Sequence, residues 1–225
     1  MTRNLKVLGL SLVAVFAISA VTASLASAQQ GTLTSSGPVT LTGVGTSFSL
    51  TFESEAISCV ISNYSGHKYN VTPHAFIPVP ATTATVIPTY INCTNRGLPT
   101  TITMNGCDYV MHIGATTGFG GQYNVTTDIV CPAGKVIEAH VYISGKHTTT
   151  VCTVKIGAQT GLSSGTLENF VGERIRLIGS VTGISASKEG ICGSKSTTAA
   201  SMDIDVQFDG VNESNEFTTV SVTHP

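Results

Sequence analysis

Charge and tryptophan are what this sequence has least of. Asp, Glu, Lys and Arg make up only 11% of its 225 residues, whereas soluble domains contain about 25%. Trp is absent, so the strongest aromatic platform for a sugar or peptide ligand is missing. The 11 Lys and Arg are outnumbered by 13 Asp and Glu, and they form no cluster. Because nucleic-acid binding draws on clustered Lys and Arg, the composition argues against a nucleic-acid partner.

The chain also lacks a sustained apolar stripe at the 3.6-residue spacing of a helix; at most, Leu167–Val171 forms one helical turn. The recurring pattern is alternation of apolar and polar residues, as in the run 202–209 (MDIDVQFD). Alternation places successive side chains on opposite faces of a strand. Short runs of this kind, separated by turn pairs such as Asn105-Gly106, predict an all-β protein. We expect an antiparallel β-sandwich, Ig-like or a related barrel, stapled by disulfides.

The N-terminus has the pattern of a secretory signal. Arg3 and Lys6 precede an apolar run, Val7–Val21, and the small residues Ala26-Ser27-Ala28 follow it. The apolar run is shorter than the roughly 20 residues that a membrane-spanning helix needs. We therefore expect residues 1–28 to be a signal peptide, removed before Gln29, with no stable membrane span afterwards. The compact charged head and small-residue cleavage site look bacterial, so the sequence predicts a secreted or cell-surface protein.

After cleavage, residues 29–225 are expected to form a single all-β domain. A cluster of glycines gives a possible internal boundary near residues 115–121. Two other segments interrupt the regular strand spacing, residues 62–84 and residues 183–200, and both are predicted to be long irregular loops. Long loops in compact domains often carry function.

Cysteines are few, but their number is even and all follow the predicted signal peptide. Even the closest two, Cys93 and Cys107, are 14 residues apart, whereas zinc ligands commonly come in pairs two to four residues apart. In an exported chain this pattern predicts three structural disulfides and neither a metal site nor a cofactor. The six residues are Cys59, Cys93, Cys107, Cys131, Cys152 and Cys192.

Strand geometry limits how the cysteines can pair. Several share a strand face with Ile and Val, so at least two bridges are expected to be anchored at core-facing strand positions, where they can join sheet to sheet through the core. If Gln122–Cys131, Lys135–Ile143 and Thr149–Ile156 form a three-stranded meander, the outer strands are about 9.6 Å apart, beyond the roughly 7 Å limit for a bridge. Joining neighbours in sequence instead is our expectation, although sequence leaves other pairings open. The expected pairs are Cys59–Cys93, Cys107–Cys131 and Cys152–Cys192.

One motif suggests catalysis. Residues 161–165 (GLSSG) fit the G-x-S-x-G pattern, which in α/β-hydrolases exposes a nucleophilic Ser on a strand-to-helix turn. No helix of adequate length follows Ser163, so a catalytic role is not favoured. A triad is defined by geometry rather than by sequence order, so an unforeseen His/Asp cluster remains an alternative. No catalytic residue is therefore assigned.

Acidic residues concentrate near the C-terminus. Asp203, Asp205 and Asp209 lie on one face of a predicted strand, and Asn212, Glu213 and Glu216 follow. Carboxylate and amide oxygens suit calcium. Same-face neighbours on a strand are about 7 Å apart, however, too far for all three aspartates to hold one ion. A solvated strand face is the preferred interpretation.

A possible binding loop lies in the first irregular segment, where Tyr64 and Tyr69 flank His67 and Lys68. Aromatic rings at such a position can contact a ligand, although packing of the tyrosines at the edge of the core is the simpler interpretation.

The sequence as a whole favours a non-enzymatic function. We expect an exported extracellular or cell-surface protein with a binding, adhesion or structural role and an unidentified extracellular ligand or surface partner. A small secreted hydrolase using Ser163 is one alternative. A self-assembling surface subunit is another, in which the segment Gly31–Phe52 pairs with the sheet edge of a neighbour.

Overall fold

The computed structural model describes residues 30–53, 55–65, 77, 79–118, 121–143, 149–192 and 195–223. The predicted signal peptide and its cleavage site lie outside these residues. Within the described part the secondary structure is entirely strands and turns, as the alternation predicts. None of it forms a helix long and apolar enough to cross a membrane.

Fourteen strands make up the described fold. They are β1 (Thr32–Ser35), β2 (Thr40–Phe52), β3 (Glu55–Ser65), β4 (Thr83–Asn95), β5 (Leu98–Thr103), β6 (Asp108–Thr116), β7 (Gln122–Val130), β8 (Ile137–Tyr142), β9 (Thr150–Ile156), β10 (Gln159–Phe170), β11 (Arg174–Gly190), β12 (Lys195–Val211), β13 (Phe217–Thr218) and β14 (Val220–Thr223).

The pairings give a sandwich-like arrangement of antiparallel strands. One wall, the long wall, runs in the order β11–β12–β2–β3–β4 and contains strands of 11 to 17 residues. The opposite wall, the split wall, consists of two shorter groups, β5–β8–β9 and β6–β7–β10. Each group is joined to β4 at one edge and to β11 at the other. Strands β1 and β14 form a separate two-stranded sheet.

Apolar side chains on alternate positions fill the space between the walls. The run 202–209 behaves as its alternation predicts, because its four apolar side chains are all buried. Phe52, Ile57, Ile113 and Leu167 are among the side chains with at most 1% exposure. Full burial of one such side chain contributes about 1.5–3 kcal/mol, so this interior is the main source of stability.

Three disulfides are present, and none of the described cysteines is free. They join Cys59 to Cys93, Cys107 to Cys131 and Cys152 to Cys192, which is the pairing of sequence neighbours that we expected. The expectation that they cross the core from sheet to sheet is wrong. Each bridge ties two adjacent strands or the ends of two adjacent strands, as Cys59 directly opposite Cys93 on β3 and β4 illustrates.

The proposed meander is also wrong. β8 and β9 do pair, but β7 pairs with β6 and β10 and belongs to the other group of the split wall. The turn residues 131–136 therefore carry the chain from one group to the other rather than forming a hairpin. Hydrophobic alternation identified the strands but carried no information about which strand each one pairs with.

Three further predictions about local structure are corrected. The segment 183–200 is not an irregular loop, since its described residues continue β11 as far as Gly190 and begin β12 at Lys195. Register shifts on either side of Ile184 interrupt the alternation there, which disguises the strand. The predicted helical turn Leu167–Val171 is not a helix, since residues 167–170 are the end of β10 and Val171 begins the turn after it. Residues 62–65 of the other predicted loop belong to β3. The possible boundary near 115–121 falls at the β6–β7 connection.

Candidate functional site

Of the predicted binding loop, only Tyr64 lies within the described residues. Its side chain is buried near the end of β3, and its ring meets Phe208 edge-on with 5.8 Å between centroids. Burial raises the pKa of the Tyr64 hydroxyl. The ring therefore packs in the core and is not presented to a ligand. His67, Lys68 and Tyr69 lie outside the described residues, and their role in binding remains a prediction.

The G-x-S-x-G segment lies in strand β10, where no helix follows it. Gly161 and Gly165 have φ values of +69° and +98°, and β10 shifts register against β7 on both sides of residues 162–163. Left-handed backbone of this kind suits glycine and is typical of a β-bulge. The two glycines thus have a structural reason that is unrelated to a nucleophile elbow.

A His/Asp pair that the sequence did not reveal lies on the outer face of the same group of strands. His112 Nε2 is 2.9 Å from Asp128 Oδ2, across β6 and β7. The Gly161 backbone N–H donates to Asp128 Oδ1 at 2.7 Å. That hydrogen bond is the main cause, with His112 as a further one, of the lowered pKa of Asp128. The pair therefore links three adjacent strands.

Ser163 does not complete a triad with this pair. Ser163 and His112 are both opposite Thr126, on the two sides of β7. Two strand spacings, about 9.6 Å, therefore separate their backbones. A nucleophile and its base need side-chain atoms within about 2.6–3.2 Å of each other. Within the described residues His112 bonds to Asp128 and Ser163 has no side-chain hydrogen bond, so the structure shows no activated serine.

The acidic strand face is occupied by arginines. Arg176 donates two hydrogen bonds to Asp205, at 2.8 and 2.7 Å, and Arg174 Nε donates to Asp209 at 2.6 Å. Ser180 donates to Asp203. Arg176 Nη1 also lies 3.8 Å from Glu168. We call residues Glu168, Arg174, Arg176, Asp205 and Asp209 the arginine–carboxylate face. The described residues contain no group of three or more His, Cys, Asp or Glu placed to hold a metal ion.

A cleft opens between β4 of the long wall and β5 of the split wall, at the point where the two strands separate. The two strands pair only over Cys93–Asn95 and Leu98–Thr100. Beyond that point β5 continues along β8, whereas the start of β4, residues 83–86, pairs with β6. The space left between the diverging strands, the β4–β5 cleft, measures about 580 Å³. Ligand sites typically measure about 300–1,000 Å³.

The lining of the β4–β5 cleft is uncharged. It combines the apolar surfaces of Ile91, Pro99 and Ile102 with the amide of Asn92 and the hydroxyls of Thr94 and Thr101. The remaining lining residues are Tyr90, Cys93 and Thr100. Asn92 and Thr94 are exposed, and within the described chain neither side chain has a hydrogen-bond partner. These groups are available to a ligand that is neutral and forms hydrogen bonds.

Rigid features surround the cleft. Cys93 in its wall is bonded to Cys59, and Arg96-Gly97, with φ of +48° and +78°, forms the two-residue turn that joins β4 to β5. Thr101 Oγ1 is 3.1 Å from the Tyr142 hydroxyl on β8. A site held in place in this way loses little conformational entropy when a ligand binds.

The sequence contained little to indicate this site. Asn92 lies within β4, and its positive φ of +53° is not visible in the residue pattern. Pro99, the second residue of β5, was the nearest available signal, because Pro in a strand marks an edge or an irregularity.

The chain matches no known protein-family model, no curated protein and no solved structure.

Proposed function

We propose that this chain is an exported extracellular or cell-surface β-sandwich protein with a non-enzymatic binding role, and that it binds its ligand in the β4–β5 cleft. The cleft itself is the main support. It has the volume of a ligand site, an uncharged lining and exposed polar side chains without partners, and a disulfide fixes one of its walls.

Three disulfides are typical of a protein from an oxidising compartment. Together with the predicted signal peptide they support export. Expression of the full chain in a secreting bacterial host should give a soluble product that begins at Gln29. Recovery of a membrane-bound product with Met1 intact would contradict export.

The two alternatives have less support. A hydrolase would need a hydrogen bond between Ser163 and a base such as His112, and within the described residues Ser163 makes none. Self-assembly through Gly31–Phe52 would need a free strand edge. β2 lies between β12 and β3, and β1 pairs with β14 on one side and is bridged at Leu33 to Ala81 on the other.

The binding role can be tested by NMR. We would titrate the ¹⁵N-labelled mature protein with maltohexaose, chitotriose and an uncharged acetylated, amidated Ser-Val peptide. At least one probe should give saturable shifts at Ile91, Asn92 and Thr101. If no probe shifts these residues, the cleft is not a binding site.

The same protein should not hydrolyse p-nitrophenyl butyrate faster than its His112→Ala variant does. Turnover that depends on His112 would overturn the non-enzymatic proposal in favour of a hydrolase.

A further inference from the structure

We infer that the ligand of the β4–β5 cleft is an uncharged saccharide chain. This inference rests on the proposed binding role and adds the chemical class of the ligand. Three properties of the cleft lead to it: the charge of the lining, the pattern of its polar and apolar groups, and the geometry of the β4 edge.

The lining excludes ligands that depend on charge. None of its nine residues is Asp, Glu, Lys, Arg or His. A phosphate, a carboxylate or an acidic sugar would give up its hydration in the cleft without gaining a charge-assisted hydrogen bond, which is an unfavourable exchange. A neutral ligand does not incur that cost.

The arrangement of groups matches the two kinds of surface that a sugar presents. The exposed Asn92 amide supplies two donors and an acceptor, and the Thr94 hydroxyl can donate and accept. The Thr101 hydroxyl also lies in the lining, but it already bonds to the Tyr142 hydroxyl. Sugar hydroxyls need such mixed partners. Ile91, which is 39% exposed, and Pro99 provide apolar surface for the C–H faces of the ring.

An extended peptide is the other neutral candidate, because it can add as a strand to an unpaired edge. The edge of β4 is poorly suited to this. Asn92 has a positive φ of +53°, which interrupts the extended backbone, and Pro88 lies four residues before it and lacks an N–H. Bulges and prolines are the devices by which proteins protect strand edges from strand addition.

Calorimetry and NMR with defined probes test the inference. The probes are cellohexaose, maltohexaose, xylohexaose and chitohexaose, with hexagalacturonic acid as the acidic saccharide and the uncharged Ser-Val peptide as the strand-forming ligand. At least one neutral saccharide should bind saturably and shift the cleft residues. The acidic saccharide and the peptide should not.

The decisive variant is Asn92→Gly, which removes the amide but tolerates the positive φ. It should weaken saccharide binding at least tenfold, equivalent to about 1.4 kcal/mol. Asn215→Gly is the matched control, since Asn215 is also an exposed asparagine at positive φ, +61°, and lies outside the cleft. It should leave the affinity within twofold. Circular dichroism should show both variants folded.

The other outcomes separate the two proposals. If the peptide binds in the cleft and no saccharide does, the binding role stands and the saccharide inference is overturned. If only the acidic saccharide binds, the uncharged class is wrong. If Asn92→Gly binds a saccharide as tightly as the unmodified chain, the inference is also overturned. If no probe shifts the cleft residues, both proposals are wrong.

Discussion

The arginine–carboxylate face and the β4–β5 cleft use polar side chains in opposite ways. On the arginine–carboxylate face each charge has a partner within the chain, as in the Arg176–Asp205 pair with its two hydrogen bonds. In the cleft no charge is present, and the exposed Asn92 and Thr94 side chains have no partner in the described chain. The charged groups of the arginine–carboxylate face are paired with one another, whereas polar side chains in the cleft keep hydrogen-bonding groups that the described chain does not use.

The comparison extends to the interior. Lys188, a buried lysine, is paired with Glu53 at 2.9 Å and lies over the ring of Phe52. In a chain with only 11% charged residues, many of the described charges serve to hold strands together. The side chains that lack hydrogen-bond partners in the cleft are neutral. A search for clusters of charged catalytic or metal-binding residues therefore does not find the cleft.

The largest expected effect comes from removing the disulfide in the cleft wall. The double variant Cys59→Ser/Cys93→Ser should lose about 2–4 kcal/mol of unfolding free energy, chiefly because the unfolded chain gains freedom. It should also bind the cleft ligand more weakly, since Cys93 lines the cleft. Urea unfolding and NMR titration measure the two effects separately.

The matched control is Cys107→Ser/Cys131→Ser, which removes a bridge between β6 and β7 away from the cleft. It should lower stability by a similar amount and leave the affinity of the folded protein unchanged. Equal loss of affinity in both double variants would show that the loss follows from general destabilisation and not from the disulfide in the cleft wall.

The second largest effect is expected from acid, which protonates Asp205 on the arginine–carboxylate face and Asp128 on β7. The hydrogen bonds from Arg176 lower the pKa of Asp205, and the Gly161 N–H lowers that of Asp128. Because the unfolded chain takes up these protons more readily, the stabilisation is complete above the unfolded pKa of about 3.9 and is lost as the pH falls below it. The urea midpoint should therefore drop between pH 5 and pH 2.5.

In the Asp205→Asn variant the urea midpoint should fall less over the same pH range, because only the Asp128 carboxylate of the two is left to be protonated. An unfolding midpoint that does not change with pH over this range would mean that these pairs add nothing to stability.

Much of the fold could be predicted from the sequence because burial imposes a period of two on strands. The run 202–209 was identified in this way, and the six cysteines predicted three disulfides. Strand order could not be predicted, since a buried face is equally apolar whichever neighbour it pairs with. The assignment of 183–200 as a loop failed for a related reason, because the bulges around Ile184 break the alternation.

The candidate site was less accessible to sequence reasoning. A cleft formed by diverging strands depends on partners far apart in the chain, and β4 changes its partner from β6 to β5 without any local signal. The His112–Asp128 pair depends on the β6–β7 register in the same way. Motif reasoning drew attention to Ser163, where the glycines serve a bulged strand.

A smaller effect is expected from breaking one pair on the arginine–carboxylate face. Arg176→Gln should lower the urea midpoint by less than loss of a disulfide does, because the pair is partly exposed to solvent, which screens it. Affinity for the cleft ligand should be unchanged. Lys155→Gln is a useful control, as the Lys155–Glu189 pair lies outside the cleft lining and is more exposed to solvent, and it should have the weaker effect. If Arg176→Gln alters ligand affinity, the two surfaces are coupled.

The smallest expected effect is that of calcium, which should leave the melting temperature unchanged at millimolar concentration. Asp205 and Asp209 offer suitable oxygens, but Arg176 and Arg174 already occupy them, so calcium would have to displace two hydrogen-bonded cations. A site saturated at one hundred times its dissociation constant would add about 2.7 kcal/mol and shift the melting temperature by several degrees. Differential scanning calorimetry with calcium and with EDTA measures this. A calcium-dependent shift that disappears in Asp205→Asn would show that the carboxylates are a cation site, and it would remove the contrast between a satisfied charged face and an unsatisfied neutral cleft.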